Sequence, residues 1–353
     1  MTLYKKILSI FIFLSFTLIV WLFSWFDYPT PIYEGEINLK GLDKPVDVYF
    51  DKWAVPHVFA KNENDLFFAA GYLAARERLF QLSTVAFAVR GELASALGDQ
   101  YLSTDIYLRT WRIHHTAQKM VSKMDHKKRE IYNSFCNGIN YHIKETKKDL
   151  PIEFKILGIK PPLWDPSVVA GYERMMAHEM QGSWEPEIVY GAIASYFGEK
   201  KLSEIIPGYH KDKPTIVELD FKEFKPVFDL IIKEEFSLRN IFGKQNADIG
   251  SNNWVVSGSK TKSNKPLLAN DPHLAFSQPS RWFEMHLKGG RFNVSGVCLA
   301  GIPVPVIGQN EDVAWGFTNT MVDDVDFFVE TLNPKNKNEY KYDEEWKNFN
   351  FCW

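Results

Sequence analysis

Three cysteines in 353 residues leave little for sulfur chemistry to do. Cys136, Cys298 and Cys352 are odd in number, far apart and never in a CxxC spacing, which excludes a disulfide framework and a zinc site. Buried free thiols are the expectation. Charge of one sign is lacking as well: 41 basic side chains face 44 acidic ones, interspersed, for a net charge of −3. Without a basic face or a high pI, nucleic acid is excluded as a partner. No internal repeat and no low-complexity tract is found. Two familiar catalytic signatures begin and then fail. "SGSK" at Ser257 to Lys260 satisfies S-x-x-K, but it is read as part of a strand and no K-T-G follows, the wrong order for a penicillin-binding serine enzyme. "HEMQG" from His178 opens like a zinc-protease helix, yet its fifth position is Gly182, and the adjacent pair His114-His115 cannot share one helix face.

What the chain does have is apolar residues, 45% of the total with 15% aromatic, enough for a sizeable core. Residues Ile7 to Phe26, "ILSIFIFLSFTLIVWLFSWF", carry no charge and follow Lys5-Lys6. About 20 apolar residues span a bilayer as a helix, and the cationic flank should stay in the cytoplasm. Everything after Phe26 is therefore expected to be exported, held by an uncleaved membrane anchor or released to the periplasm if the segment is a cleaved signal. The exit, Ser24-Trp25-Phe26-Asp27, lacks the small residues of a cleavage site.

Past the anchor, "IYEGEINLKGLDKPVDVYFDKWAVPHVFA" alternates apolar and polar residues and reads as two or three short strands. From Asp65, taken as a cap, helical spacing begins and runs beyond Gly91 in a second helix. It returns over Lys127 to Glu145 and Ser167 to Met180. Lys200 to Gly250 is rich in charge and weakly periodic. After Trp254 strands take over: "NWVVSGS", "KPLLAND", "RWFEMHLKGGRFNVSGVCLAG", "DVAWGFTNT" and "VDFFVETLNP". Helices before and strands after argue an α+β fold assembled from both halves.

The join between the halves, "NADIGSNNWVVSGSKTKSNKPLLANDPH" from Asn246 to His273, carries the chemistry. A serine without a histidine can be activated by its own α-amine if the chain is cut immediately before it. Gly250 suits that cut: it lets the Ser251 hydroxyl approach the preceding carbonyl, and its permissive backbone can hold a strained peptide. The charged region upstream then reads as a linker peptide.

Gly250-Ser251-Asn252-Asn253-Trp254-Val255-Val256 followed by Ala269-Asn270-Asp271-Pro272-His273 resembles the start of the catalytic chain in the penicillin acylase (penicillin amidase) family of N-terminal nucleophile hydrolases. "GIPVPVIGQNEDVAWGFTNTMVDDVDFF", Gly301 to Phe328, is similar to that family's segment carrying an oxyanion-hole amide and calcium ligands. "WAVPHVFAKNENDLFFAAGYLAARERLFQL", "AVRGELASALG" and "MMAHEMQGSWEPEI" resemble its smaller chain, the last being the helix that lines the acyl pocket. The resemblance runs from about Glu34 to the last residue. It implies a four-layer αββα sandwich with antiparallel sheets in the middle. Residues 1–27 would be the membrane segment, 28–205 the smaller (alpha) chain, 206–250 the linker and 251–353 the beginning of the catalytic (beta) chain, with the two chains paired after processing.

The implied roles follow residue by residue. Ser251 is the nucleophile, freed by cleavage at Gly250-Ser251, and its α-amine is the base. The Asn319 backbone amide helps form the oxyanion hole. His273 holds the substrate or the amine through a main-chain group. Glu179, Met180 and Phe276 bind substrate, and the Glu179-Met180 pair, where better-known members carry arginine and an aromatic residue, argues against a phenylacetyl-type acyl group. Glu187, Asp323, the Val325 carbonyl and Asp326 bind Ca²⁺, a cation that takes hard oxygen ligands. Glu185 is the competing choice for the smaller chain's ligand. The implied substrate is a small acylated amine, a β-lactam side-chain amide or an N-acyl homoserine lactone. The family's second oxyanion donor would lie beyond Trp353, so the 353 residues are expected to be a truncated, N-terminal part with little activity alone. The competing expectation is an inactive, membrane-anchored binding or structural protein.

Overall fold

The computed structural model describes residues 2–26, 31, 33–147, 149–206, 220–241, 250–274, 276–320, 322 and 325–349. The N-terminal apolar run forms the helix Thr2–Phe26, and Tyr4–Trp21 is a window long and apolar enough to cross a membrane, none of it buried. The chain divides into two compact units. The first comprises Met1–Phe87, Lys123–Val169 and Arg281–Val313; the second comprises Ala88–Ser122, Ala170–Ser280 and Ala314–Trp353. Each draws on residues from both sides of Ser251.

In the first unit, neighbouring strands run in the order Asp47–Phe50, Pro56–Phe59, Trp282–Gly289, Phe292–Leu299, Ile307–Gln309. Phe283, Met285 and Leu287 alternate inward while Glu284 and Lys288 face water, the period of two that a half-buried strand requires. The pairing of Pro56–Phe59 with Trp282–Gly289 is parallel, with His57 opposite His286, whereas antiparallel sheets were expected. These strands lie more than two hundred residues apart in sequence, so no hairpin forces them antiparallel.

The helix Glu63–Arg90 is kinked at Arg78 and buries Leu66, Phe67, Ala70 and Leu73. Asp65 is not its cap. Asn62 accepts the Asp65 amide at 2.8 Å, and the buried Asp65 carboxylate instead receives the amides of Asp43 (2.8 Å) and Lys44 (3.0 Å). This helix meets His126–Glu145 backbone to backbone: a Cβ on Gly71 would run into the carbonyl of Phe135, and one on Gly138 into that of Phe68. Cys136 and Cys298 are buried thiols, and burial pushes the Cys298 thiol up. Cys352 lies outside the described residues.

In the second unit, Leu102–Thr110, the end of Pro166–Met180, Trp184–Phe197 and Lys225–Ile241 are helical. The last of these corrects the reading of Lys200 to Gly250 as weakly periodic: seventeen residues of it form a helix that buries Glu234, Glu235 and Leu238. Glutamates at buried positions mask the apolar stripe that periodicity would have revealed. "SGSK" is not in a strand either. The strand ends at Val256 and Ser257 caps a short 3₁₀ turn, Gly258–Lys260. Of "DVAWGFTNT" only Ala314–Trp315 is a strand, and of "VDFFVETLNP" only Leu332–Asn333.

Candidate active site

The strand Gly250–Val256 pairs antiparallel with Leu267–His273, placing Gly250 opposite His273, Ser251 opposite Pro272 and Asn253 opposite Asn270. Ser251 is half-buried, and its Oγ donates to the Gly250 carbonyl oxygen at 2.6 Å. The hydroxyl thus rests against the bond that the sequence nominated for cleavage. The φ of Gly250 lies outside the left-handed region, and an added Cβ would meet only His273 Nδ1, at 3.8 Å. The close approach of the hydroxyl is present.

His273 is exposed, with Nε2 3.1 Å from Asp271 Oδ2 and 3.4 Å from Asn252 Nδ2. The imidazole is engaged by its own hairpin. Asn319 is exposed and its side-chain amide donates to the Met180 carbonyl oxygen. Met180 ends the helix Pro166–Met180, so the segment of the expected oxyanion amide touches the segment of the expected acyl pocket. Glu179 is buried, 7% exposed, whereas Phe276 is fully exposed.

Among the calcium candidates, Glu187 lies exposed in the first turn of Trp184–Phe197, Val325 is half-buried and Asp326 exposed, while Asp323 lies outside the described residues. The carboxylate of Glu185 is paired with Arg239.

Sequence reasoning missed a buried hub beside this helix end. Glu235 accepts from Arg239 Nε at 3.0 Å and from Tyr107 Oη at 3.1 Å, and lies 3.3 Å from His178 Nε2. His178 stacks on Trp184, with centroids 5.8 Å apart, and packs on Trp111 at 4.5 Å. Burial pushes the Glu235 carboxyl up, but the hydrogen bonds and charges of His178 and Arg239 outweigh it and hold the group down at about 2. Burial, then the Glu235 charge, raises the Tyr107 hydroxyl. The only signal in the text was a pair of glutamates among apolar residues at helical spacing, "DLIIKEEFSLRNI".

The acyl-homoserine lactone acylase QuiP of Pseudomonas aeruginosa is 26% identical over 337 residues, covering 93% of this chain and 39% of that protein. The penicillin acylase 2 proenzyme of Pseudomonas sp. SE83 is 28% identical over 315 residues, covering 85% and 39%. The chain therefore spans about two fifths of the length of these relatives. A solved penicillin G acylase from Alcaligenes faecalis matches 50% of this chain and 97% of its own at 22% identity, with a TM-score of 0.41. The sequence profile described as penicillin amidase matches residues 45–351, nearly the whole length, and the chain belongs to the penicillin amidase family.

Proposed function

We propose that this chain is part of an amide hydrolase that cuts itself at Gly250-Ser251 and then uses Ser251 as an N-terminal nucleophile. One observation carries the reading: the Ser251 hydroxyl lies 2.6 Å from the carbonyl oxygen of the residue before it, in a chain whose relatives by name are acylases and a proenzyme. In processing, Oγ attacks the Gly250 carbonyl carbon, the peptide C–N bond breaks, and the hydroxyl proton passes to the departing Ser251 nitrogen. Water then hydrolyses the ester, leaving a Gly250 carboxylate and a free Ser251 amine.

In turnover the same oxygen attacks a substrate amide, and the α-amine, with an ordinary pKa of about 8, takes the proton and passes it to the leaving amine. The Asn319 backbone amide stabilises the oxyanion, and water resolves the acyl-serine. The four-layer αββα sandwich, with the membrane segment at 1–27, the smaller chain at 28–205, the linker at 206–250 and the catalytic chain from 251, belongs to this proposal. So does the pairing of the two chains.

The names of the relatives support a small acylated amine as substrate, of the homoserine lactone or β-lactam kind. The apolar helix Thr2–Phe26 supports export, either as an anchor or as a signal. For calcium, Glu187, Val325 and Asp326 offer the hard oxygens the ion takes, with Glu185, whose carboxylate is paired with Arg239, as the competing choice for the smaller chain's ligand. A bound ion would tie the first turn of Trp184–Phe197 to the segment after Asn319.

The test is N-terminal sequencing of the larger fragment from the full-length protein. Ser251 as first residue is expected, and Ser251→Ala should abolish both cleavage and amide hydrolysis. An uncleaved protein that hydrolyses amides normally would overturn the mechanism. A protein that stays whole and inactive would point to the binding or structural reading.

A further inference from the structure

Asn270 joins the nucleophile strand to the segment of the oxyanion amide with every polar atom of its side chain. Nδ2 donates to the Asn252 carbonyl at 2.9 Å and to the Phe317 carbonyl at 3.0 Å, and Oδ1 accepts the Phe317 amide at 2.8 Å. Asn252 follows Ser251 directly, and Phe317 precedes Asn319 by two residues. A second observation is independent of those bonds. Gly316 packs so closely on this side chain that an added Cβ would lie 2.7 Å from Oδ1 and 2.8 Å from Cβ of Asn270.

We propose that Asn270 is a positioning residue that sets the separation of Ser251 Oγ from the Asn319 amide. This rests on the reading of those two groups as nucleophile and oxyanion donor. Only a primary carboxamide satisfies the site. It must offer two N–H donors to two carbonyls and one acceptor to an amide, on an arm of one methylene. Aspartate lacks the donors, and glutamine displaces them. Because Phe317 is held at both its N–H and its C=O, the peptide planes on either side of it are fixed relative to the strand, and Asn319 is two residues further along. A nucleophile and an oxyanion donor must keep their geometry to within about 0.5 Å, and a misplacement of about 1 Å can cost 10²-fold. Asn270 touches neither the substrate nor the reacting atoms in this account; it acts through the backbone at both ends.

The experiment compares Asn270→Ala and Asn270→Asp with the parent in the full-length protein. It reads amide hydrogen exchange at Phe317, melting temperature, and kcat and KM for an acylated amine with a chromogenic leaving group. In the alanine variant, Phe317 exchange should rise at least tenfold and kcat fall by about 10²-fold, with KM within about twofold. In the aspartate variant the Phe317 N–H keeps its acceptor, so exchange stays slow, while the loss of both donors still lowers kcat.

A purely structural role would make kcat follow melting temperature in both variants, and that result overturns the proposal. Unchanged Phe317 exchange in the alanine variant overturns it as well. If Asn270→Ala does not fold, Gly316→Ala presses on the same side chain from the other side, and it should lower kcat at unchanged KM; parent-like kcat there refutes the proposal. A parent protein in which Ser251 never becomes acylated would refute the assignment of the nucleophile instead, and the exchange at Phe317 would still report whether the clasp exists.

Discussion

Removing the carboxylate of Glu235 should unlock the helical part of the second unit. In Glu235→Ala three buried or half-buried donors lose an acceptor: Tyr107 Oη, His178 Nε2 and Arg239 Nε. A buried donor left unsatisfied costs about 1–3 kcal/mol, and breaking a buried ion pair by truncating one partner about 3–5 kcal/mol. Arg239 keeps Glu185, which lowers the cost at that end. The expected loss is therefore about 3 kcal/mol.

Protonation gives an independent route to the same magnitude. A carboxyl held at about 2 rather than 4.5 has its charged form favoured by the fold by roughly 3 kcal/mol. The sign follows from the depressed folded value. This stabilisation is fully present above the unfolded value of 4.5 and is lost as pH falls through about 2. The melting temperature of the variant should drop by roughly 6–12 °C at neutral pH. Hydrogen exchange should rise across Lys225–Ile241, and the gap between parent and variant should close as pH falls from 4.5 toward 2. A variant within about 0.5 kcal/mol of the parent at pH 7 refutes the hub as a source of stability, and a gap that persists unchanged at pH 2 refutes the charge argument.

Three further outcomes can be checked. Gly138→Ala forces a methyl against the Phe68 carbonyl, so the first unit should lose at least 1–3 kcal/mol, read as a lower urea midpoint. Calcium at about a hundredfold its Kd should stabilise the full-length protein by about 2.7 kcal/mol, and Glu187→Gln should remove most of that gain; an unchanged melting temperature in the parent would count against the site. Protease added to intact spheroplasts should digest the chain after Phe26 and spare the terminus; complete protection until lysis would show that the apolar helix does not lead the chain out.

The sequence by itself determined what depends on neighbours along the chain. Apolar spacing over His126–Glu145 and Pro166–Met180 marks helices because residues three and four apart share a face, whatever else the fold does. Gly250-Ser251-Asn252-Asn253-Trp254 carries the resemblance to the penicillin amidase family in consecutive residues, and the 2.6 Å contact of the Ser251 hydroxyl with the Gly250 carbonyl is local too. Only the tertiary structure decided partners remote in sequence. Asp65 looked like a cap and caps nothing, since two amides twenty-odd residues upstream claim its carboxylate. Pro56–Phe59 lies parallel to a strand more than two hundred residues away, a pairing that no turn signal announces. Glu235 read as one more charge in a charge-rich, weakly periodic stretch until His178, Tyr107 and Arg239 converged on it. Asn270 read as one residue of a motif until its amide reached Phe317 across 47 positions. A polar side chain shows its own valence in the sequence, but which groups fill that valence is settled when distant backbone and side chains are brought within about 3 Å and water is displaced.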